Sequence, residues 1–470
     1  MTRCLLPLFL AALSLSLASA DERPNFILIN CDDLGYADIG PFGAEKHRTP
    51  HLDRMAAEGR KFTSFYVTSG VCSPSRSSLM TGCYPKRIGL HQNEHGKWVL
   101  FPGDQRGLHP SEVTVAEVLK EAGYQTAMVG KWHLGDQPDF LPTRQGFDSY
   151  FGIPFSNDMG RTDRPDKRYP PLPLLRDETV IEEEPDQHFI TQRYTEEAIA
   201  FLEKATKRDA PFFLYLPHTM PHWPQYSSPA FEGKSANGAW GDAVEEIDWS
   251  VGQILDKLSE LGVDENTLVM FTSDNGGAMN HGASNAPLRG AKGSTFEGGQ
   301  RVCTVMRWPA RIPAGTECDE LATTLDILPT FAHFGGGTVP SDRIIDGRNI
   351  APLLLGEAAA TSPHEAFYYY KLGNLQCIRS GPWKLHLART EKPRNKPNAK
   401  GRKVPAALYH LDNDIGEEKN VASDHPEVVA RLESLAEKAR ADLGDDATGA
   451  AGKGTRRPGD VPGAEPLTSD

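Results

Sequence analysis

The chain lacks most of the features that announce a protein class at a glance. Its seven cysteines, at positions 4, 31, 72, 83, 303, 318 and 377 of 470 residues, show none of the close pairing of a zinc site or a disulfide-dense scaffold. Positive charge is in deficit, with 50 Lys and Arg against 63 Asp and Glu and a formal net charge of −13. A chain-wide basic surface is therefore missing and no nucleic acid is expected as partner, although a local basic pocket inside an acidic shell is compatible with this balance. Long apolar runs are missing too. The one from Leu5 to Leu17 is short for a membrane span, and no later segment approaches one. With a single Arg before it and Ala18-Ser19-Ala20 behind it, residues 1–20 read as a cleaved signal peptide. The mature chain is expected to be exported (periplasmic, secreted or lumenal), with no stable membrane insertion. No internal repeat is apparent.

What is present is an ordinary globular composition, 39% hydrophobic, enough for a large core with a smaller companion unit. "NFILIN" and "PFFLYLPH" are buried-strand runs. "TVAEVLKEAGYQTAMVGKWHLG" carries a capping box, Thr114-x-x-Glu117, then a helix, a stop at Gly123 and a strand. Residues 241–261 place Val244, Ile247, Val251, Ile254, Leu258 and Leu261 at helical spacing before the strand "NTLVMFTS". Strand, crossover helix, strand predicts an α/β fold, a mostly parallel sheet with helices on both faces. The stretch between Gly152 and Gln187 looks too irregular for a sheet element. Past a glycine run near residue 335, "AFYYYKL", "LQCIRS", "WKLHLA" and "ALYHL" predict a small antiparallel sheet. The expected division is a catalytic domain over 21–345, a C-terminal α+β subdomain over 346–443, and a disordered tail over 444–470.

The chemistry-bearing residues gather where strands end: Asp32-Asp33, Lys131 with His133, His218 with His222, and Asp274-Asn275. Ligands of open parallel sheets bind beyond the carboxyl ends of the strands, so four clusters far apart in sequence can converge on one site. Asp32, Asp33, Asp274 and Asn275 offer oxygen ligands without a thiolate or imidazole pair, which suits Ca²⁺ or Mg²⁺ rather than zinc. In "GVCSPSRSSLMTG", Ser73 and Pro74 read as the cap and first position of a helix. That puts Cys72 at a helix N-terminus, either as a nucleophile or as a buried thiol, with Arg76 able to reach back toward it. Lys131, His133, His222 and Lys292 add positive charge and proton donors. Together the set suits a sulfate or phosphate ester, whose oxygens need neutralising and whose departing oxygen needs a proton.

On these residues the chain resembles the sulfatase family, in particular its arylsulfatase A and N-acetylgalactosamine-6-sulfatase group. "GVCSPSRSSLMTG" is similar to the family's Cys-x-Pro-Ser-Arg signature and "GYQTAMVGKWHLG" to its second signature. "NFILINCDDLGY", "GFDSYFGIPFSNDM", "PHTMPHWPQY", "FTSDNGG" and "LRGAKGSTFEGG" follow the family order. The resemblance implies an alkaline-phosphatase-like α/β sandwich and conversion of Cys72 to Cα-formylglycine by a formylglycine-generating enzyme. It further implies that Asp32, Asp33, Asp274 and Asn275 hold Ca²⁺ (or Mg²⁺), which also touches residue 72. Arg76 and Lys131 would orient the aldehyde hydrate and His133 would act as its base. His222 and Lys292 would grip the sulfate and assist the leaving group, with His218 behind them. Cys83 and Cys303 stand where relatives often carry Arg and Pro.

The resulting expectation is a formylglycine- and calcium-dependent sulfatase acting on a sulfated saccharide or aryl sulfate, galactosamine sulfates first among the glycans. A phosphatase or phosphonate monoester hydrolase on the same fold is the enzymatic rival, and a catalytically silent glycan-binding relative the other. Asn157 and Asp158 are candidates for bonding sugar hydroxyls. The substrate, the disulfide pattern and the oligomeric state are not legible at this level.

Overall fold

The computed structural model describes residues 23–167, 169–391 and 401–469; the signal peptide expected over 1–20 lies outside them. Its largest element is an eleven-stranded sheet. The five central strands are Thr267–Ser273, Asn25–Cys31, Phe212–Pro217, Gln125–Val129 and Ser149–Gly152. They are mutually parallel in that spatial order. Their sequences are near-continuous apolar runs because both faces of a parallel sheet are covered. Along Asn25–Cys31, Phe26 and Leu28 enter one core while Ile27, Ile29 and Cys31 enter the other, the period-two alternation of a strand.

Each face has its own helices. On one lie Cys72–Thr81, Val115–Glu121 and Ile327–Gly335, contributing Leu79, Leu119 and Phe331. On the other lie Pro50–Glu58, Ile190–Ala205 and Gly238–Glu260, contributing Met55, Leu202 and Ile247. Fully burying a side chain of this size is worth about 1.5–3 kcal/mol. The helix Val115–Glu121 starts with the expected capping box: Glu117 N–H donates to Thr114 Oγ1 at 3.1 Å, and Thr114 N–H donates to Glu117 Oε2 at 2.7 Å. This is the alkaline-phosphatase-like sandwich, and the expected α/β class holds.

Behind the sandwich, Phe367–Lys371, Asn374–Ser380, Trp383–His386 and Ala407–His410 form a four-stranded antiparallel sheet. The helix Pro426–Leu443 packs on it through Leu432, Leu435 and Ala436.

Three expectations need correction. The stretch between Gly152 and Gln187 does contain sheet: Pro173–Arg176 and Thr179–Glu183 extend the large sheet as an antiparallel edge. The helix at the signature starts at Cys72, with extended Val71 before it, and ends at Gly82 in the left-handed region (φ 66°). Ser73 is therefore inside it and its hydroxyl accepts from Leu100 N–H at 3.1 Å instead. Finally, the segment from Gly444 is not a loose tail. Gly459–Asp460 pairs with Arg106–Gly107, Arg456 binds Glu112 at 2.7 and 2.8 Å, and the Gly454 carbonyl accepts from Arg87 at 2.8 Å. Its Gly/Pro/Ala composition has no periodicity of its own, and order comes from partners hundreds of residues away.

Candidate active site

The carboxyl ends of the parallel strands converge as the topology requires. Asp32 and Asp33 follow Asn25–Cys31, Asp274 and Asn275 follow Thr267–Ser273, and Lys131 follows Gln125–Val129. Asp274 N–H reaches the Cys31 carbonyl at 2.9 Å, and Lys131 N–H reaches the Pro217 carbonyl at 2.8 Å. Two glycines are required by close approach: a Cβ on Gly276 would lie 1.9 Å from the Gly298 carbonyl, and one on Gly130 (φ +132°) 1.9 Å from that of Pro217. Asp33 (φ 69°) and His133 (φ 65°) are held in the left-handed region, a conformation that costs free energy for residues other than glycine and concentrates at functional sites.

Three buried carboxylates face three buried or half-buried cations. Lys131 Nζ bonds Asp32 Oδ2 and also reaches Ser156 Oγ at 3.2 Å. Arg76 binds Asp274 through Nε at 2.9 Å and through its terminal nitrogen at 2.8 Å, and donates to the Lys131 carbonyl at 2.9 Å. Its other close acid is Asp32, at 3.7 Å. Arg76 thus braces carboxylates from two strands. Lys292 Nζ lies 2.7 Å from Asp33 Oδ2.

Every oxygen of the three acids has a donor, but the cations offset burial unequally. Burial, with Asp32 next, pushes Asp274 up to about 7. For Asp32, burial is outweighed by Lys131, His222, Arg76 and Lys292, and its carboxyl sits well below the usual range. Asn275 Nδ2 donates to Asp33 Oδ1 at 2.8 Å, whereas Asn275 Oδ1 is buried with no hydrogen-bond partner. An orphaned carbonyl oxygen beside crowded carboxylates is a hard-oxygen donor set, and it fits a divalent cation. Asp32, Asp33, Cys72 and His222 each offer a ligand atom within 4.8 Å of the others.

Cys72 Sγ is 3.3 Å from Asp32 Oδ1. Burial first, then Asp32, push its thiol well above the ordinary range, so as a cysteine this residue stays neutral and is a poor nucleophile. Of the two readings of Cys72 from the sequence, a nucleophile or a buried thiol, the site provides the buried thiol.

The two histidines are anchored through opposite nitrogens. His133 Nε2 faces the Leu100 carbonyl at 3.0 Å; a carbonyl only accepts, so Nε2 carries the hydrogen and Nδ1, buried and without a partner, is bare. Burial and Lys131 hold this ring well below the ordinary histidine value, in its neutral form. His222 instead engages Asn157 Oδ1 through Nδ1 at 2.9 Å, with Nε2 3.7 Å from Asp33 Oδ2. Burial and Lys292 lower its pKa, which makes the protonated ring a stronger acid. His218 is fully buried, neither ring nitrogen has a partner among the described residues, and burial pushes it down to about 3.

Cys72, His133, His222 and Lys292 line one cavity of about 640 Å³. Its rim carries Trp98, Tyr169 and Trp223, with Arg164 over the Trp223 ring at 4.8 Å and paired with Asp158 at 2.7 Å. Ser156, between Lys131 and His222, was not singled out from sequence. Its signal was its place beyond a strand end in "GIPFSNDM", shared with several other polar residues. Asn157 is fully buried and already engaged, so it does not bond sugar hydroxyls as expected.

The fold and this centre define a hydrolase of anionic esters. Residues 24–337 match the sulfatase family and residues 362–463 the C-terminal region of aryl-sulfatase. The chain is 41% identical over 395 residues to N-acetylgalactosamine-6-sulfatase of Canis lupus familiaris, covering 81% of this chain and 74% of that one. It is 37% identical over 462 residues to arylsulfatase A of Homo sapiens, covering 91% and 89%. Among solved structures, Ps i-CgsB in complex with k-i-k-neocarrahexaose matches with TM-score 0.76 at 31% identity over 88% of this chain and 92% of that one. PsFucS1 sulfatase from Pseudoalteromonas sp. matches with TM-score 0.80 at 27% identity over 92% of each. The chain belongs to the sulfatase family and is a sulfuric ester hydrolase.

Proposed function

We propose that the protein is exported and removes sulfate from a sulfated glycan, using a divalent cation, Ca²⁺ or Mg²⁺, and a formylglycine made from Cys72. The observation that carries this is the crowded set of buried carboxylates with the partnerless Asn275 Oδ1 beside residue 72, next to a cavity wide enough for a saccharide. In the overall reaction an ester and water give an alcohol and sulfate, and the sulfur–oxygen ester bond breaks. Converted by a formylglycine-generating enzyme, position 72 supplies a hydrated aldehyde, an oxygen nucleophile whose second hydroxyl can later expel sulfate. Asp32, Asp33, Asp274 and Asn275 would hold the cation, which adds the positive charge that both the carboxylates and a sulfate oxygen call for.

The remaining roles belong to the chain's own groups. Arg76 and Lys131 hold Asp32 and Asp274 in register and keep their charge compensated. His133, neutral with a bare Nδ1, takes a proton at position 72. Lys292, with a quarter of its side chain exposed to the cavity, meets a sulfate oxygen. His222 gives the proton of Nε2 to the departing alcohol oxygen.

A galactosamine sulfate is the first candidate, because curated relatives at 40–41% identity carry the name N-acetylgalactosamine-6-sulfatase. The aromatic and cationic rim supports a sugar over a small aryl group as the natural leaving part. The test is release of sulfate and of phosphate from matched 4-nitrophenyl esters, followed by a panel of sulfated saccharides. Faster sulfate release, with turnover of a sulfated saccharide, is expected. Faster phosphate release would overturn the assignment in favour of a phosphatase, and no turnover by protein with a converted Cys72 would leave a binding protein.

A further inference from the structure

A proton donor serves this cavity only if the nitrogen facing the ester carries the proton and the ring cannot turn. What fixes the His222 ring lies behind it. Its Nδ1 is 2.9 Å from Asn157 Oδ1, on the turn Asn157–Met159 beyond the edge of the parallel strands. The Asn157 amide nitrogen donates to Gln187 Oε1 at 3.0 Å and to the Pro224 carbonyl at 3.1 Å. A prolyl carbonyl only accepts, so this amide has one orientation, with Oδ1 turned to the imidazole. The same constraint acts one residue further back. Gln187 Nε2 donates to Asp163 Oδ2 at 2.8 Å, and the other oxygen of that carboxylate accepts from Tyr226 Oη at 2.6 Å. Each amide in the row is oriented by a partner that can only accept. The nearest group to His222 Nδ1 is thus a pure acceptor at 2.9 Å, against 3.5 Å from either ring nitrogen to the Ser156 hydroxyl, so Nδ1 holds a hydrogen and Nε2 is left to the cavity.

We propose that Asn157 is a positioning residue of the sulfatase reaction, which fixes His222 in one tautomer and aims Nε2 at the departing oxygen. This rests on the proton-donor role proposed for His222. As the sulfur–oxygen ester bond breaks, its electron pair stays on the alcohol oxygen, and that oxygen takes the Nε2 proton of the imidazolium form, which solvent supplies, leaving the ring neutral with its hydrogen on Nδ1. The hydrogen on Nδ1 stays with Asn157 throughout. An amide suits the position because it orients the ring without adding a carboxylate to a cavity that already presents Asp33 and Asp158.

The test compares the wild type, Asn157→Leu and Gln187→Leu on phenyl sulfate, whose leaving group needs a proton, and 4-nitrophenyl sulfate, whose leaving group needs little. Asn157→Leu is expected to lower kcat on phenyl sulfate on the order of 100-fold, with KM little changed and a much smaller loss on the nitrophenyl ester. Gln187→Leu, which removes one of the two acceptors that orient the Asn157 amide, should shift the ratio in the same direction by less and keeps the comparison available if Asn157→Leu does not fold. Equal losses on both esters would reduce Asn157 to a structural residue and overturn the inference. Two-bond ¹H–¹⁵N spectra of the His222 ring read the tautomer without turnover. A neutral wild-type ring with its hydrogen on Nδ1, scrambled in Asn157→Leu, is expected, and a hydrogen on Nε2 would overturn the inference. A wild type inactive on both esters would instead count against the sulfatase reading itself, with the spectrum still deciding the role of Asn157.

Discussion

Two buried charge clusters sit in this molecule, and they are built to opposite ends. One surrounds Cys72. The other joins the sandwich to the C-terminal sheet: Glu297 accepts from Tyr369 Oη at 3.0 Å, from Lys384 Nζ at 2.9 Å, and also from Tyr66 Oη and Arg301. Glu417 accepts from His386 at 2.6 Å, from Lys384 at 3.0 Å and from Glu297 N–H at 2.7 Å. In both clusters every carboxylate oxygen has a donor, and the difference lies in the balance of charge. Burial raises Glu297, but Lys384, Arg301 and Arg379 outweigh it and hold the carboxyl far below the usual range. Around Cys72, by contrast, Asp274 is pushed upward, Asn275 Oδ1 has no partner, and a cavity opens on the group. Buried charge alone does not mark a site; a carboxyl pushed upward among crowded acids, with an orphaned acceptor and a cavity beside them, does.

Four experiments break or sharpen this contrast. Cys72→Ala should abolish sulfate release, by a factor of at least ~10³, while cooperative unfolding stays near that of the wild type; circular dichroism with a turnover assay checks both. Glu297→Gln should do the reverse, costing about 3–5 kcal/mol of stability because Lys384 and Arg301 lose their counter-charge, with the folded fraction still active. The sign with pH follows from the depressed carboxyl. The stability Glu297 contributes is full above the ordinary Glu value of 4.5 and is lost as pH falls through its lower folded value. The gap between wild type and variant should therefore close in acid, as read by denaturant titration at a series of pH values.

Asp274 carries the opposite sign. With its folded pKa raised, ionising it costs stability as pH rises from 3.8 through about 7, and a divalent cation relieves that cost. Ca²⁺ at 100 times its Kd should stabilise by about 2.7 kcal/mol, with a larger Tm increase at pH 8 than at pH 5, where protons compete for the carboxylate. An equal shift at both pH values would place the ion elsewhere. The smallest effect is expected from Arg456→Ala, about 1–3 kcal/mol, because it frees the buried Glu112 from its partner. A segment without fixed contacts would give no change.

The sequence made the open cluster more legible than the closed one. Asp32-Asp33, Lys131, His218, His222 and Asp274-Asn275 could be found because each follows an apolar run, and the end of a parallel strand is where a site forms. Ser156 and Asn157 also follow a strand end, but nothing in "FSNDM" tells a side chain that holds another from one that meets solvent. Glu297, Lys384 and Glu417 were not legible at all, since their meaning lies in a junction between units distant along the chain. The segment after Gly444 failed for the same reason: Arg456 and Gly459 are ordered by Glu112 and Gly107, not by local propensity. The hairpin over Pro173–Glu183 was hidden by its short strands at a sheet edge.

The most direct test of the whole account is the mass of the proteolytic peptide that contains Cys72, measured on protein that is shown to release sulfate. The account predicts an aldehyde or its hydrate at position 72. Sulfate release by protein whose Cys72 is an intact thiol would contradict it.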